Sequence, residues 1–240
     1  MSESRIRVGT VGLPRRRGGL PAAVDIVELA TGRDWPPKGQ AARKLRAGIP
    51  SAVGFTVQLS RFLAEQPPAG TPAVGDPAGY GRFEPSAENF GLWERCLEHA
   101  AALEAEALVL LTPVEFTPTR PNRERLATFL ERARRPDVPV AWEPRGPWEP
   151  ASAAAVALDL GLVLAVDPLR DELPEGPVAY LRLGPFAQLG TRLGTYDLER
   201  IADAARGHPL SFCLFETPRA LDDARTLREI LAGRDPGVTP

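Results

Sequence analysis

The chain has little of the residue types that most often carry chemistry. Only two histidines, His99 and His208, stand in 240 residues. A zinc centre built on three imidazoles and a Ser-His-Asp triad are thereby excluded. His99 falls inside a helical stretch and His208 in the turn before the last strand, both away from the strand ends discussed below. Two cysteines, Cys96 and Cys213, are too few for a disulfide scaffold or a four-thiolate zinc site. Cys213 reads as a core residue, and Cys96 lies beside Glu94 and Glu98, which do not favour a thiolate. Net charge is also scarce, at −2 from 29 basic and 31 acidic residues. That balance gives no electrostatic footprint for sequence-blind binding to nucleic acid or an anionic membrane.

Long apolar runs are missing as well. The nearest approach, 153–166, is interrupted by Asp159 and Gly161 and falls short of the roughly 20 residues a bilayer span needs. The opening MSESRIRVGTVG has no apolar core of a secretory signal. A cytoplasmic protein without membrane contact is the expectation. Lysine is confined to Lys38 and Lys44, so the positive charge is almost all arginine. This bias, with abundant alanine, glycine and proline, follows from a GC-rich coding sequence and implies no function. The first turn, Gly9-Thr10-Val11-Gly12, is not G-x-G-x-x-G, and no G-x-x-x-x-G-K-[ST] occurs. No nucleotide cofactor is expected.

What is present is a regular alternation. Near-continuous apolar runs read as strands at 6–11, 24–29, 53–59, 107–112, 138–143, 162–167, 178–183 and 210–216. Such runs suit parallel strands covered on both faces. Helical patterns lie between most of them, at 40–47, 86–106, 122–134, 150–160, 196–206 and 219–232. Ser86 is a candidate cap of the second, and Thr195 or Asp197 of the fifth. Eight strands alternating with helices give an α/β fold, a TIM-type (β/α)8 barrel in a single domain over 1–240. A doubly wound open sheet is the rival, but it carries fewer strands and a glycine-rich first turn. The segment 65–85 holds five prolines and four glycines without helical or strand period. It reads as a long loop at the barrel mouth, either a lid or a disordered insertion. Residues 233–240 form a tail.

Several blocks resemble a known family in register with the strands. Gly9-Thr10 and Gly12 look like an opening G-T-S-G-W, Val27-Glu28 like V-E-I-N, and 49–58 (IPSAVGFTVQ) like T-P-x-x-F-x-F-x-x-K. Glu143, Arg145, Pro147 and Trp148 resemble E-F-R-H-x-S-W with one residue missing. Asp167 matches the aspartate ending the sixth strand, and 180–183 (YLRL) is similar to Y-V-R-L-H-G. Phe215 and 220–227 (ALDDARTL) are similar to F-N-N followed by A-x-x-N-A-x-x-L. On these blocks the chain resembles a divergent member of the domain of unknown function 72, or YecE-like, family. The resemblance implies a TIM-barrel fold and no established activity. The departures fall on polar positions. The family's lysine is Gln58, its strand-seven histidine is Gly184, its opening tryptophan is Leu13, its strand-four glutamine is Leu111, and its asparagine pair is Glu216-Thr217.

The strand ends nominate a site. Thr10, Glu28, Gln58, Thr112, Glu143, Asp167, Arg182 and Glu216 all stand at C-terminal ends, which converge on one mouth in a barrel, where the active site sits. Glu143, Asp167 and Glu216 are the catalytic candidates. Thr10, Glu28, Gln58, Arg145, Trp148 and Arg182 are the ligand-binding ones. Carboxylates forced together could divide into an acid and a base, and could also hold Mg²⁺ or Mn²⁺. Arg145 and Arg182 could clamp an anion or neutralise the carboxylates in a structural network. Arg15-Arg16-Arg17 reads as a solvated basic loop. The expected function is binding of a small polar, anionic ligand, with acid/base or metal-assisted hydrolysis or isomerisation of a sugar or phosphate ester. The alternative is a catalytically decayed barrel acting as a binding or partner protein. The sequence names neither the substrate nor the oligomeric state.

Overall fold

The computed structural model describes residues 4–14, 23–184 and 193–233. Eight parallel strands close into a barrel in chain order: β1 (Arg5–Val11), β2 (Ile26–Leu29), β3 (Gly54–Gln58), β4 (Ala105–Thr112), β5 (Val140–Pro144), β6 (Val163–Val166), β7 (Val178–Leu183) and β8 (Leu210–Phe215). Among the described residues six α-helices alternate with them. These are α1 (Gly39–Ala47), α2 (Ala87–Ala102), α3 (Arg120–Arg132), α4 (Pro150–Leu160), α5 (Thr195–Arg206) and α6 (Ala220–Leu231). This is the (β/α)8 barrel expected from the alternation. No helix among the described residues is long and apolar enough to cross a membrane.

Contacts group the chain into two units. The first comprises 1–29, 50–55 and 164–240; the second comprises 30–49 and 56–163. In the first unit, β1 pairs with β8 over six residues, from Arg5 opposite Leu210 to Thr10 opposite Phe215. β7 pairs with β8 from Val178 opposite Leu210 to Leu183 opposite Phe215. Ile201, Ala202, Ala224 and Leu227 bury the inner faces of α5 and α6. The backbone N–H of Gly194, at the start of α5, donates to Asp197 Oδ2 at 2.9 Å, so Asp197 helps fix that helix end. Asp25 precedes β2 because its side chain takes a place in the ladder. Its Oδ2 accepts from Val8 N at 3.1 Å.

In the second unit, an aromatic core holds the helices to the sheet. Phe129 of α3 meets Phe83, Phe90 and Trp93 with ring centroids 5.8, 5.2 and 5.7 Å away. Ser86 caps α2 by accepting from Asn89 N at 3.1 Å. The helix ends earlier than its periodicity suggests. Leu103 is its C-terminal cap, Glu104 turns to φ +56°, and β4 begins at Ala105.

The proline- and glycine-rich segment 65–85 is a loop packed against the second unit's core. It has one 3₁₀ turn at Pro77–Gly79, started by Asp76, which accepts from Ala78 N. Tyr80 and Phe83 are fully buried anchors. The backbone N–H groups of Gly81, Arg82 and Phe83 donate back to the carbonyls of Phe62, Ala64 and Leu63 at 2.8 Å each. The buried Asn89 brackets the same turn, accepting from Gly81 N and donating to the carbonyls of Gly81 and Glu84. The expected basic loop Arg15–Arg17 and most of the expected tail (234–240) lie outside the described residues.

Candidate functional site

Parallel pairing places the C-terminal ends of the first unit's strands beside one another, and four charged side chains arise there. Glu28 is on β2, Asp167 just after β6, Arg182 on β7 and Glu216 just after β8. Glu28 is fully buried and the Arg182 side chain is 4% exposed. Arg182 Nε donates to both Glu28 carboxylate oxygens at 3.3 and 3.2 Å, and Nη2 donates to Oε1 at 3.1 Å. Tyr180 lies two residues earlier on the same strand face and donates its hydroxyl to Glu28 Oε2 at 2.9 Å. Arg182 Nη2 also stands 2.9 Å from Glu216 Oε2. The Glu216 side chain is 34% exposed, so it carries the buried cluster to the surface of its strand end.

Glu28 and Glu216 share one guanidinium, which lowers their mutual repulsion. Asp167 accepts from Leu169 N at 3.0 Å. Its carboxyl is pushed above the ordinary aspartate range chiefly by burial. The Leu169 N–H and Arg170 pull it down, Asp171 pushes it up, and Arg200 pulls it down. Thr10 is buried and turns its hydroxyl onto the carbonyl of Gly12 at 3.1 Å. Among the described residues no group of three or more histidine, cysteine, aspartate or glutamate side chains is arranged to hold a metal ion. Arg182 Nη2 stands 3.1 Å from Glu28 Oε1 and 2.9 Å from Glu216 Oε2, between two of the carboxylates considered for Mg²⁺ or Mn²⁺.

The raised Asp167 pKa has a consequence for stability. The folded state holds this proton more tightly than the unfolded chain, so its contribution is complete at low pH and is lost as pH rises through the folded pKa. Asp167→Asn keeps an acceptor for Leu169 N and removes the charge. It should raise the melting temperature at neutral pH, with the gain shrinking as pH falls through the folded pKa and gone below about 4, where aspartate is neutral in both states. Melting curves of both proteins across that range check this.

The second unit contains the remaining candidates. Gln58 ends β3 and is 4% exposed. Glu143 and Arg145 pair with each other, Nε to Oε1 at 3.0 Å. Trp148 donates its indole N–H to the carbonyl of Phe116 at 2.8 Å and meets Trp142 edge-on at 5.0 Å. Trp142 in turn donates to Thr112 Oγ1 at 3.2 Å. Both arginines expected to grip an anion are thus committed to carboxylates, Arg145 to Glu143 and Arg182 to Glu28 and Glu216. Sequence reasoning singled out neither Tyr180 nor Trp142 as a site residue. Tyr180 had a usable signal, since strand alternation puts it on the face of Arg182. His99 bonds Thr31 Oγ1 through Nε2 at 3.0 Å, and His208 bonds the carbonyl of Gly176 through Nδ1 at 3.0 Å. Burial pushes the thiols of Cys96 and Cys213 up to about 12.

A DUF72 family protein from Enterococcus faecalis superposes with a TM-score of 0.70 over 97% of this chain and 99% of its own, at 16% identity. The barrel has the DUF72 fold. A second DUF72 family protein, from Thermotoga maritima, gives a TM-score of 0.65 over 95% of this chain and 99% of its own, at 15% identity. The DUF72-type barrel is also similar, more distantly, to a xylose isomerase domain protein from Planctomyces limnophilus. That match has a TM-score of 0.55 and 15% identity over 96% of each chain. No family model matches the sequence, and no curated protein is similar to it. The likeness is one of fold, in keeping with the motif resemblance.

Proposed function

We propose that the strand ends of the first unit bind a small hydroxyl-bearing ligand of the sugar class, and that the site moves a proton on it. Glu216 is the base, Asp167 the acid, and Arg182 with Glu28 and Tyr180 the buried support. The observation that carries this reading is the gradient from the fully buried Glu28 through Arg182 to the part-exposed Glu216. It presents a carboxylate anchored by a buried cation to whatever docks at the strand end. Among the described residues two carboxylates meet one guanidinium, an acidic balance that suits hydroxyl groups better than a phosphate dianion. Asp167 supplies the complementary half, since its raised pKa keeps a proton available at higher pH than an ordinary aspartate would.

The reaction best suited to this pair is isomerisation at a carbon beside a carbonyl. Glu216 takes the proton from that carbon while Asp167 gives one to the carbonyl oxygen, forming an enediol. Reversal with the proton returned to the neighbouring carbon completes an isomerisation without net gain or loss of atoms. The fold similarity to a xylose isomerase domain protein is in line with a sugar as the ligand class. A binding protein without chemistry is the second reading, favoured by both arginines lying in internal ion pairs.

A melting screen against neutral aldoses and ketoses and their phosphate esters, with and without Mn²⁺, tests the binding claim. At a hundredfold excess over the dissociation constant, a bound sugar should stabilise the protein by about 2.7 kcal/mol. Glu216→Gln should lose that stabilisation. No stabilisation by any neutral sugar would overturn the proposal.

A further inference from the structure

The second unit contains a cleft that the site above does not use. It has a volume of about 540 Å³ and lies where the loops after β3 and β4 meet the first turns of α3. The C-terminal loops of barrel strands are where such folds bind ligands. From this cleft we infer a separate binding site for a small oxyanion on a hydroxylated carbon skeleton, the chemistry shared by sugar phosphates and sugar acids.

Two arginines line the cleft, Arg82 from the loop after β3 and Arg125 from α3. Arg125 reaches Glu84 at 3.4 Å, through Nε. Arg82 is exposed, and among the described residues its guanidinium has no hydrogen bond or ion pair. A free guanidinium on a cleft that a second arginine also lines is suited to capture of a carboxylate or phosphate. The other polar groups are of a different kind. Gln66 and Asn122 offer amides, and Glu65 and Glu115 offer carboxylate acceptors. Acceptors beside two cations are poor partners for a bare anion and good partners for the hydroxyls of a ligand whose anionic end is held by the arginines. Glu65 is itself held by Arg61 at 3.4 Å, which limits its repulsion of an incoming anion.

The base of Arg82 is fixed unusually firmly for a loop residue. Gly81, Arg82 and Phe83 have φ of +86°, +52° and +53°. A non-glycine residue there costs on the order of 1–3 kcal/mol and persists only where its surroundings impose it. Here Asn89, three backbone hydrogen bonds and the burial of Phe83 impose it. With Phe83 turned into the aromatic core, Arg82 stands at the cleft in a preset position, which lowers the ordering cost of binding.

The test uses the full chain and isothermal titration with three probes: inorganic phosphate, ribose 5-phosphate and gluconate. Arg82→Gly is the informative variant, because glycine relieves the positive φ while removing the cation, so loss of binding cannot be laid to unfolding. Ribose 5-phosphate or gluconate should bind the wild type, and Arg82→Gly should weaken that probe about tenfold or more. Whichever of the two binds identifies the anion as phosphate or carboxylate. Equal binding by Arg82→Gly, inorganic phosphate binding as tightly as the hydroxylated probes, or no binding up to about 10 mM would each overturn the inference.

Discussion

Arg182→Gln should lower the free energy of unfolding by about 3–5 kcal/mol, because it removes a cation that Glu28 and Glu216 share. Glu28 has no exposure through which water could replace the lost partner, and the Tyr180 hydroxyl brings a hydrogen bond but no charge. The size of the loss reflects an uncompensated buried charge rather than the net worth of the pair. Replacing Arg182 and Glu28 together by methionine should accordingly recover most of the stability. Urea denaturation of the wild type, the single variant and the double variant measures all three. A single-variant loss below about 1 kcal/mol would show that the network is not the buried ion pair described here.

Gly9→Ala should be at least as damaging, for a steric reason. Gly9 lies in β1 opposite Ile26 of β2. A Cβ at that position would stand 1.7 Å from the carbonyl oxygen of Ile26 and 2.7 Å from its carbonyl carbon. The obstacle is backbone in a neighbouring strand, which cannot rotate away as a side chain can. Ordinary overpacking costs about 1–3 kcal/mol, and this substitution should exceed that range by forcing β1 and β2 apart. The adjacent carboxylate Glu28 would be displaced with its strand. A soluble Gly9→Ala protein with wild-type melting temperature would contradict the β1–β2 register.

The sequence made the fold legible because apolar runs and helical periods alternate without interruption. β7 begins and ends where Pro177 and Gly184 bracket an apolar run, and its bounds follow from that pattern. β2 is shorter than its apolar run because Asp25 bonds Val8 through its side chain. α2 is shorter than its stripe because the chain reverses at Glu104 into β4. The loop 65–85 was readable as a loop from proline and glycine, but not as a packed one. That depends on Tyr80 and Phe83, two aromatic residues in an otherwise polar stretch, finding the core.

The candidate site was legible as a set of residues and not as a set of partners. Strand ends nominate Glu28, Arg182 and Glu216 together, but pairing between residues 154 positions apart depends on register. Register also brings the Arg182 guanidinium onto both carboxylates. The raised pKa of Asp167 follows chiefly from burial that no local pattern encodes.

Proton exchange from solvent is the most direct measurement of the proposed chemistry. Ketoses and aldoses incubated with the protein in deuterium oxide should incorporate deuterium at the carbon beside the carbonyl, as followed by proton NMR. Glu216→Gln should stop the incorporation, and Asp167→Asn should slow it by about 10²–10⁴-fold, the usual contribution of a general acid or base. Binding of a neutral sugar without any deuterium incorporation would leave a binding site and contradict the acid/base assignment.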